Sequence, residues 1–150
     1  MRLEDEIKTS KFQSELQKAH INIIFSANWL RTRISSSLKP FGITHEQFNV
    51  LRIIRGQQDR GILAKEITCR MLEPNSNTTR IIDRLEAKGL LQRRQSTHDR
   101  RERPVVLTPQ GLRLLEQIEQ AWLSNSPHTG PLADAEARLL NELLDKLRDD

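Results

Sequence analysis

Residues 75–108 read NSNTTRIIDRLEAKGLLQRRQSTHDRRERPVVLT and contain the pattern of a helix followed by a β-hairpin. Thr78, Ile81, Ile82 and Leu85 recur at helical spacing, which predicts a helix with this face packed inward. The side chains of the outward face can all form hydrogen bonds. Those that point outward or lie at the helix start are Asn75, Ser76, Asn77, Thr79, Arg80 and Arg84.

A β-hairpin is predicted to follow this helix. Gly89 is expected to stop the helix in the left-handed conformation. Two short runs that contain apolar residues, 90–94 and 105–107, flank a polar segment, so the tip of the hairpin falls at residues 98–102. Because proline has no N–H to donate, Pro104 predicts that the second strand lies at a sheet edge.

Positive charge is concentrated in this stretch. Residues 75–103 hold eight Lys or Arg against four Asp or Glu, whereas residues 132–150 hold six acids against three bases. The whole chain of 150 residues has a net charge of only +4. A localised basic surface indicates a polyanionic partner, since Lys and Arg that neutralise phosphates release counterions from DNA. The alternative is a solvated helix and hairpin without a ligand.

The N-terminal region, residues 5–38, contains neither Gly nor Pro and predicts one long helix that Pro40 and Gly42 end. At 1.5 Å per residue this helix would be about 50 Å long, so part of it needs a partner outside its own core. Its apolar stripe consists of Phe12, Leu16, Ala19, Ile23, Ala27, Leu30, Ile34 and Leu38.

Two further short helices are predicted before the opening stretch. Thr44 and Gln47 have the spacing of a capping box, in which each side chain binds the backbone N–H of the other residue. Apolar residues at helical spacing then mark one helix over 48–54 and another over 63–71. Three short helices in this order are typical of a helix-turn-helix.

The C-terminal region predicts two more helices. Thr108 and Pro109 form a helix start, and an apolar stripe continues to Trp122. A loop at 124–131 precedes a last helix at about 133–148, which holds five leucines. These leucines and the stripe of the N-terminal helix favour a two-fold dimer. A monomeric helix bundle is the alternative.

The remaining composition bears on compartment and chemistry. Cys69 is the only cysteine, which excludes an intrachain disulfide; we interpret it as a small buried residue, with a redox sensor as the alternative. No apolar run is long enough for a membrane span or a signal peptide, so we expect a cytoplasmic protein with no membrane partner. The four histidines fall on different predicted elements without catalytic or metal-binding spacing, so we expect no enzyme, no metal and no cofactor.

Four segments of the chain resemble the multiple-antibiotic-resistance regulator (MarR) family of winged helix-turn-helix repressors. They are FGITHEQFNVL at 41–51, TRIIDRLEAKGLL at 79–91, DRR at 99–101 and VLTPQG at 106–111. The expected fold is therefore mainly α (α+β). Residues 41–108 would form the winged helix-turn-helix DNA-binding region, and residues 1–40 and 109–150 a helical dimerisation region, in one continuous domain.

The resemblance implies roles for individual residues. The helix of the opening stretch would be a recognition helix in the major groove, and Arg101 at the tip of the wing would enter the minor groove, oriented by Asp99. Arg100 would contact phosphate. Glu73 and a longer approach to the helix depart from the usual pattern, so which of its first residues touches a base stays open. The candidate wing residues are Arg93, Arg94, His98, Asp99, Arg100, Arg101 and Arg103.

The resemblance also implies the mode of action. We expect a transcriptional regulator, a repressor in type, that binds palindromic sites in double-stranded DNA as a homodimer and is released by a small aromatic or phenolic ligand. A winged-helix protein-interaction module and an oxidation sensor acting through Cys69 are the alternatives. Candidates for the ligand pocket, for which ordinary core packing is the other interpretation, are His20, Ile24, Phe25, Trp29, Phe41 and Phe48.

Overall fold

The N-terminal region is two helices rather than the single one predicted over 5–38. The computed structural model describes residues 1–57, 60–73, 77–95, 101–128 and 130–149, and begins with α1 (Leu3–Ile7) and α2 (Glu15–Leu38). Lys8 ends α1 in the left-handed conformation, with φ of 54°. Ser14 starts α2 by accepting a hydrogen bond from the backbone N–H of Gln17 at 3.1 Å. A polar cap therefore makes the break without Gly or Pro.

The helix-turn-helix is formed as predicted. A short 3-10 helix (Lys39–Phe41) follows α2, and then come α3 (His45–Arg55), α4 (Ala64–Arg70) and α5 (Thr78–Ala87). The capping box at the start of α3 is confirmed, because Thr44 and Gln47 exchange both side-chain-to-backbone hydrogen bonds.

Two short antiparallel strands, β1 (Leu91–Arg93) and β2 (Val105–Leu107), form the wing, with Leu91 opposite Leu107. The expectation that β2 is an edge strand was wrong. Val105 exchanges two backbone hydrogen bonds with Ile62, of 2.9 and 3.0 Å, so β2 lies between β1 and this bridge. Pro104 precedes the strand, so its missing N–H removes no hydrogen bond of the ladder.

Two helices complete the chain, α6 (Pro109–Ser124) and α7 (Asp134–Arg148). Thr108 caps α6 by accepting from the backbone N–H of Gly111 at 3.1 Å, as its sequence predicted. No residue of α7 is buried, and four of its leucines are 41–55% exposed.

The hydrophobic core extends from the end of α2 to Ile118 in α6. It is largely confined to the winged region, so the apolar residues of α7 and of the first half of α2 lie outside it. The largest fully buried side chains are Leu38, Leu51, Ile54, Ile67, Ile82, Leu85, Leu91, Leu115 and Ile118. This core fixes α5 and the wing relative to each other.

Candidate nucleic-acid interface

The two faces of α5 differ sharply. Thr78, Ile82 and Leu85 are buried, and α5 packs against α3 and β1 through this side. Thr79, Arg80 and Arg84 are exposed. At 1.5 Å per residue the helix is about 15 Å long. Because a major groove about 12 Å wide admits an α-helix, α5 could insert its polar side into DNA.

Asn77 lies at the start of α5 and acts as its cap. Its side-chain oxygen accepts a hydrogen bond from the backbone N–H of Arg80 at 3.1 Å, and its carbonyl accepts from that of Ile81. The cap satisfies an N–H group that would otherwise lack a partner. Asn75 and Ser76, the other candidates at this end, lie outside the described residues.

A polar cleft separates the start of α3 from α5. Within it, the hydroxyl of Thr44 donates a hydrogen bond to Glu46, which is the largest cause of the lowered pKa of that carboxyl. Glu73, which departs from the usual pattern of the family, lies 3.2 Å from the guanidinium of Arg31 on α2. The cleft is lined by Thr44, Glu46, Gln47, Glu73, Asn77, Arg80, Ile81 and Arg84.

The base of the wing forms a second cleft, lined by Arg93, Arg94, Gln95 and Arg103. None of these four residues is acidic, so the cleft is electropositive. Arg94 and Arg103 are exposed, as is Arg101 farther along the wing. His98, Asp99 and Arg100 lie outside the described residues.

Arg93 differs from the other arginines of the wing, because its guanidinium hydrogen-bonds to Asp83 at 2.5 Å and also to Glu86. The hydrogen bond to Asp83 is the largest cause of the raised pKa of Arg93. The sequence predicts Arg93 as a wing residue in contact with DNA, whereas Asp83 and Glu86 enter that prediction only as charges. The spacing of Asp83 and Glu86, three residues apart on one helix face and a few residues before Arg93, was the signal that could have paired them.

The six candidates for a ligand pocket do not share one site in a single subunit. Phe48 is 6% exposed and lies in the core, with its ring 5.0 Å from that of Trp122. Phe41 is half-buried and lines a cavity beside Lys88. His20 and Ile24 are exposed on α2.

Phe25 and Trp29, the remaining two candidates, line a shallow cavity on α2 together with Asn28, Thr32 and Arg33. The guanidinium carbon of Arg33 lies 5.4 Å from the ring centre of Trp29. This distance is typical of a cation–π contact. The cavity therefore combines aromatic faces with a positive charge.

Cys69 is exposed on α4, which corrects its interpretation as a buried residue. The apolar face of this short helix is formed by Ile67, which is fully buried. Cys69 is two residues farther along, or about 200° around the helix, so its thiol points away from the core.

Within the described part of the chain, no helix is long and apolar enough to cross a membrane. Among the same residues, no group of three or more His, Cys, Asp or Glu side chains is arranged to hold a metal ion.

Comparison with known proteins gives consistent matches. The family model described as MarR family matches residues 43–102, which include the helix-turn-helix and most of the wing. The transcriptional repressor MprA of Escherichia coli K12 is 30% identical over 121 residues, 75% of this chain and 69% of MprA. The uncharacterized HTH-type transcriptional regulator YwoH of Bacillus subtilis is 36% identical over 98 residues, 65% of this chain and 69% of YwoH.

Solved structures match over nearly the whole chain. A cysteine-to-serine variant of MarR from Escherichia coli, complexed with operator DNA, superposes with a TM-score of 0.78 at 28% identity. The match covers 93% of this chain and 100% of that one. The apo form of wild-type MarR matches with a TM-score of 0.67 at 29% identity, over 85% of this chain and 94% of that one.

Proposed function

The chain belongs to the MarR family of DNA-binding transcription regulators, and on that premise we propose that it is a repressor. It binds a palindromic DNA site as a homodimer and is released by a small-molecule effector. The observation that carries the proposal is the polar, exposed side of α5 beside the arginine-lined cleft of the wing. MprA, which is 30% identical, is itself a transcriptional repressor.

The proposed contacts divide into two kinds. Six residues at and after the start of α5 read bases or bind phosphates in the major groove. They are Asn75, Ser76, Asn77, Thr79, Arg80 and Arg84. The phosphate backbone of DNA is contacted by the positive side chains of Arg94, Arg100 and Arg103. Arg101 enters the minor groove, and His98 and Asp99 belong to the same part of the wing. Arginine suits a narrow minor groove because its negative potential is enhanced there.

A homodimer explains the apolar surface that one subunit leaves uncovered. Leu139, Leu140, Leu143 and Leu147 lie along one side of α7 and are all exposed. Such a stripe favours a partner, since an amphipathic helix needs an apolar surface to cover it. Residues 1–40 and 109–150 would form this dimerisation region around the winged regions at 41–108. Two recognition helices about 34 Å apart would then read successive major grooves.

For the effector, the cavity at Phe25, Trp29 and Arg33 supports an aromatic or phenolic acid, whose ring would stack while its carboxylate meets the guanidinium. Effector release requires that the ligand bind the DNA-free conformation more tightly. Hydroxybenzoate isomers should raise the unfolding midpoint of the protein, and Trp29→Ala should abolish that rise. His20→Ala, on the same helix but outside this cavity, is the control.

Oxidation sensing is a second candidate, because the thiol of Cys69 is exposed and therefore accessible to peroxide. In that case peroxide weakens DNA binding by the unaltered protein but not by Cys69→Ser. If both proteins respond equally, Cys69 is not a sensor.

The test of the function is DNA affinity measured over a range of salt concentrations. Each phosphate neutralised contributes about −0.9 to the slope of log K against log salt, so DNA binding predicts a steep negative slope. A slope near zero would favour a protein-interaction module. Arg101→Ala should weaken binding in a gel-shift assay with dimerisation intact, whereas Arg138→Ala, on α7, should not. Unchanged binding by Arg101→Ala would refute its assignment to the wing contact.

A further inference from the structure

We propose that Arg93 is a positioning residue that holds the wing against the recognition helix, and that it does not itself bind DNA. The inference rests on the proposed DNA binding. It removes Arg93 from the wing residues that contact DNA and gives Asp83 and Glu86 a role in recognition.

Arg93 is fixed to α5 at three points. Its backbone N–H donates to Oε1 of Glu86 at 3.0 Å, while its guanidinium donates to Oε2 of the same carboxylate and to Oδ1 of Asp83 at 2.5 Å. Asp83 and Glu86 are three residues apart, which places them side by side on the helix. The rigid fork of a guanidinium can bind both carboxylates at once, which the single ammonium of lysine does less well.

The charges at this contact oppose a phosphate role. Two carboxylates surround one guanidinium, so the three side chains together carry a net charge of −1. The side chain of Arg93 is 25% exposed, less than those of Asp83 at 57% and Glu86 at 37%. A phosphate that bound Arg93 would have to displace these acids and then lie beside them. Arg94 and Arg103 are exposed on the same wing and suit that role better.

The contacts of Arg93 with Asp83 and Glu86, called the clamp below, add to the short connection between α5 and the wing. Only Lys88, Gly89 and Leu90 separate α5 from β1, and the two strands share three residue pairs. The core holds the start of β1 through the buried side chain of Leu91, whereas Gln92 and Arg93 are not buried. Arg93 is the last residue of β1 and ties the far end of the strand back to α5. The recognition helix and the wing would then stay a constant distance apart when both contact DNA.

The experiment compares two duplexes, each titrated over a range of salt concentrations. One is the tightest duplex recovered from a random 30-base-pair library with the unaltered protein, and the other is a mixed-sequence duplex. Arg93→Gln should lose about tenfold in affinity for the selected duplex, the effect of one charge-assisted hydrogen bond, with little change for the mixed one. Its salt slope should equal that of the unaltered protein. Arg94→Gln is the matched control and should weaken both duplexes equally, with a slope smaller by about 0.9 for each lost phosphate contact.

Arg93→Lys separates the clamp from the charge. It keeps the positive charge but binds the two carboxylates less well than the guanidinium does, so it should lose specificity as Arg93→Gln does. Adding Glu86→Gln to Arg93→Gln should cost little more, since the two residues act as one unit. Equal unfolding midpoints for all variants at one protein concentration would show that the fold is kept.

The outcomes distinguish the two proposals. If Arg93→Gln weakens both duplexes and reduces the slope as Arg94→Gln does, while Arg93→Lys restores binding, Arg93 is a phosphate contact and the clamp is refuted. If the unaltered protein binds neither duplex in a salt-dependent way, the proposed function fails, and the clamp fails with it.

Discussion

Replacing Gly111 by alanine should destabilise the protein, although alanine ordinarily stabilises a helix. Gly111 lies in the first turn of α6, where it meets the turn between α5 and β1. A Cβ at this position would lie 2.0 Å from the backbone oxygen of Leu90 and 3.0 Å from its carbonyl carbon. Both are backbone atoms, so no side-chain rotation can relieve the clash. Either the start of α6 or the base of the wing must move.

The size of the effect follows from two opposing terms. Overpacking a well-packed site costs about 1–3 kcal/mol, and an approach of this kind belongs at the upper end. Alanine in place of glycine regains at most about 1 kcal/mol of helix propensity. The net loss is about 2 kcal/mol, which for a chain of this length lowers the unfolding midpoint by about 4–8 °C.

The assay is thermal unfolding followed by circular dichroism. Protein concentration must be held constant, because dimerisation makes the midpoint depend on it. Gly56→Ala is the matched control, since its Cβ would lie 3.5 Å from the backbone oxygen of Ile53, an ordinary van der Waals distance. We expect that control to keep or slightly raise the midpoint. A Gly111→Ala protein as stable as the unaltered one would refute the close packing of α6 on the wing.

Three further predictions concern the cap, a histidine and the dimer. Asn77→Ala should cost about 1 kcal/mol of unfolding free energy in urea, because the cap of α5 is lost. His128 is exposed, and partial desolvation beside Trp122 is the largest cause of its lowered pKa, to which nearby Arg52 adds. As pH falls, His128 therefore binds a proton at a higher pH in the unfolded chain than in the folded protein. The free energy of unfolding should fall as pH drops through about 6.5, and His128→Gln should flatten that part of the curve of unfolding midpoint against pH. Leu143→Glu should give monomers in analytical ultracentrifugation, and Asn141→Glu on the same helix should not; dimers of Leu143→Glu would exclude this stripe from the interface.

Much of the fold could be predicted because its boundaries are local chemical signals. The cap of α3 by Thr44 and that of α6 by Thr108 each need only a hydroxyl and the right spacing. The break before α2 carried the same kind of signal in Ser14 and Gln17. The absence of Gly and Pro does not make a helix continuous, because a serine cap of this kind can start a new helix.

Contacts between distant segments were harder to predict. The bridge that makes β2 an inner strand pairs Val105 with Ile62, and no local pattern indicates that partner. The exposure of Cys69 depends on which side of α4 faces the core, and a helix of seven residues gives too short an apolar pattern to define that side. At the candidate site, composition correctly located the basic wing, but composition could not show that Arg93 is paired with acids on α5.

Selection of bound duplexes from a random library asks in one measurement whether the chain reads DNA sequence and with what symmetry. We predict that the recovered duplexes share an inverted repeat whose half-sites are about one helical turn apart, roughly 34 Å between centres. Recovery of duplexes with no common sequence, at an affinity that salt does not change, would refute sequence-specific DNA binding by this chain.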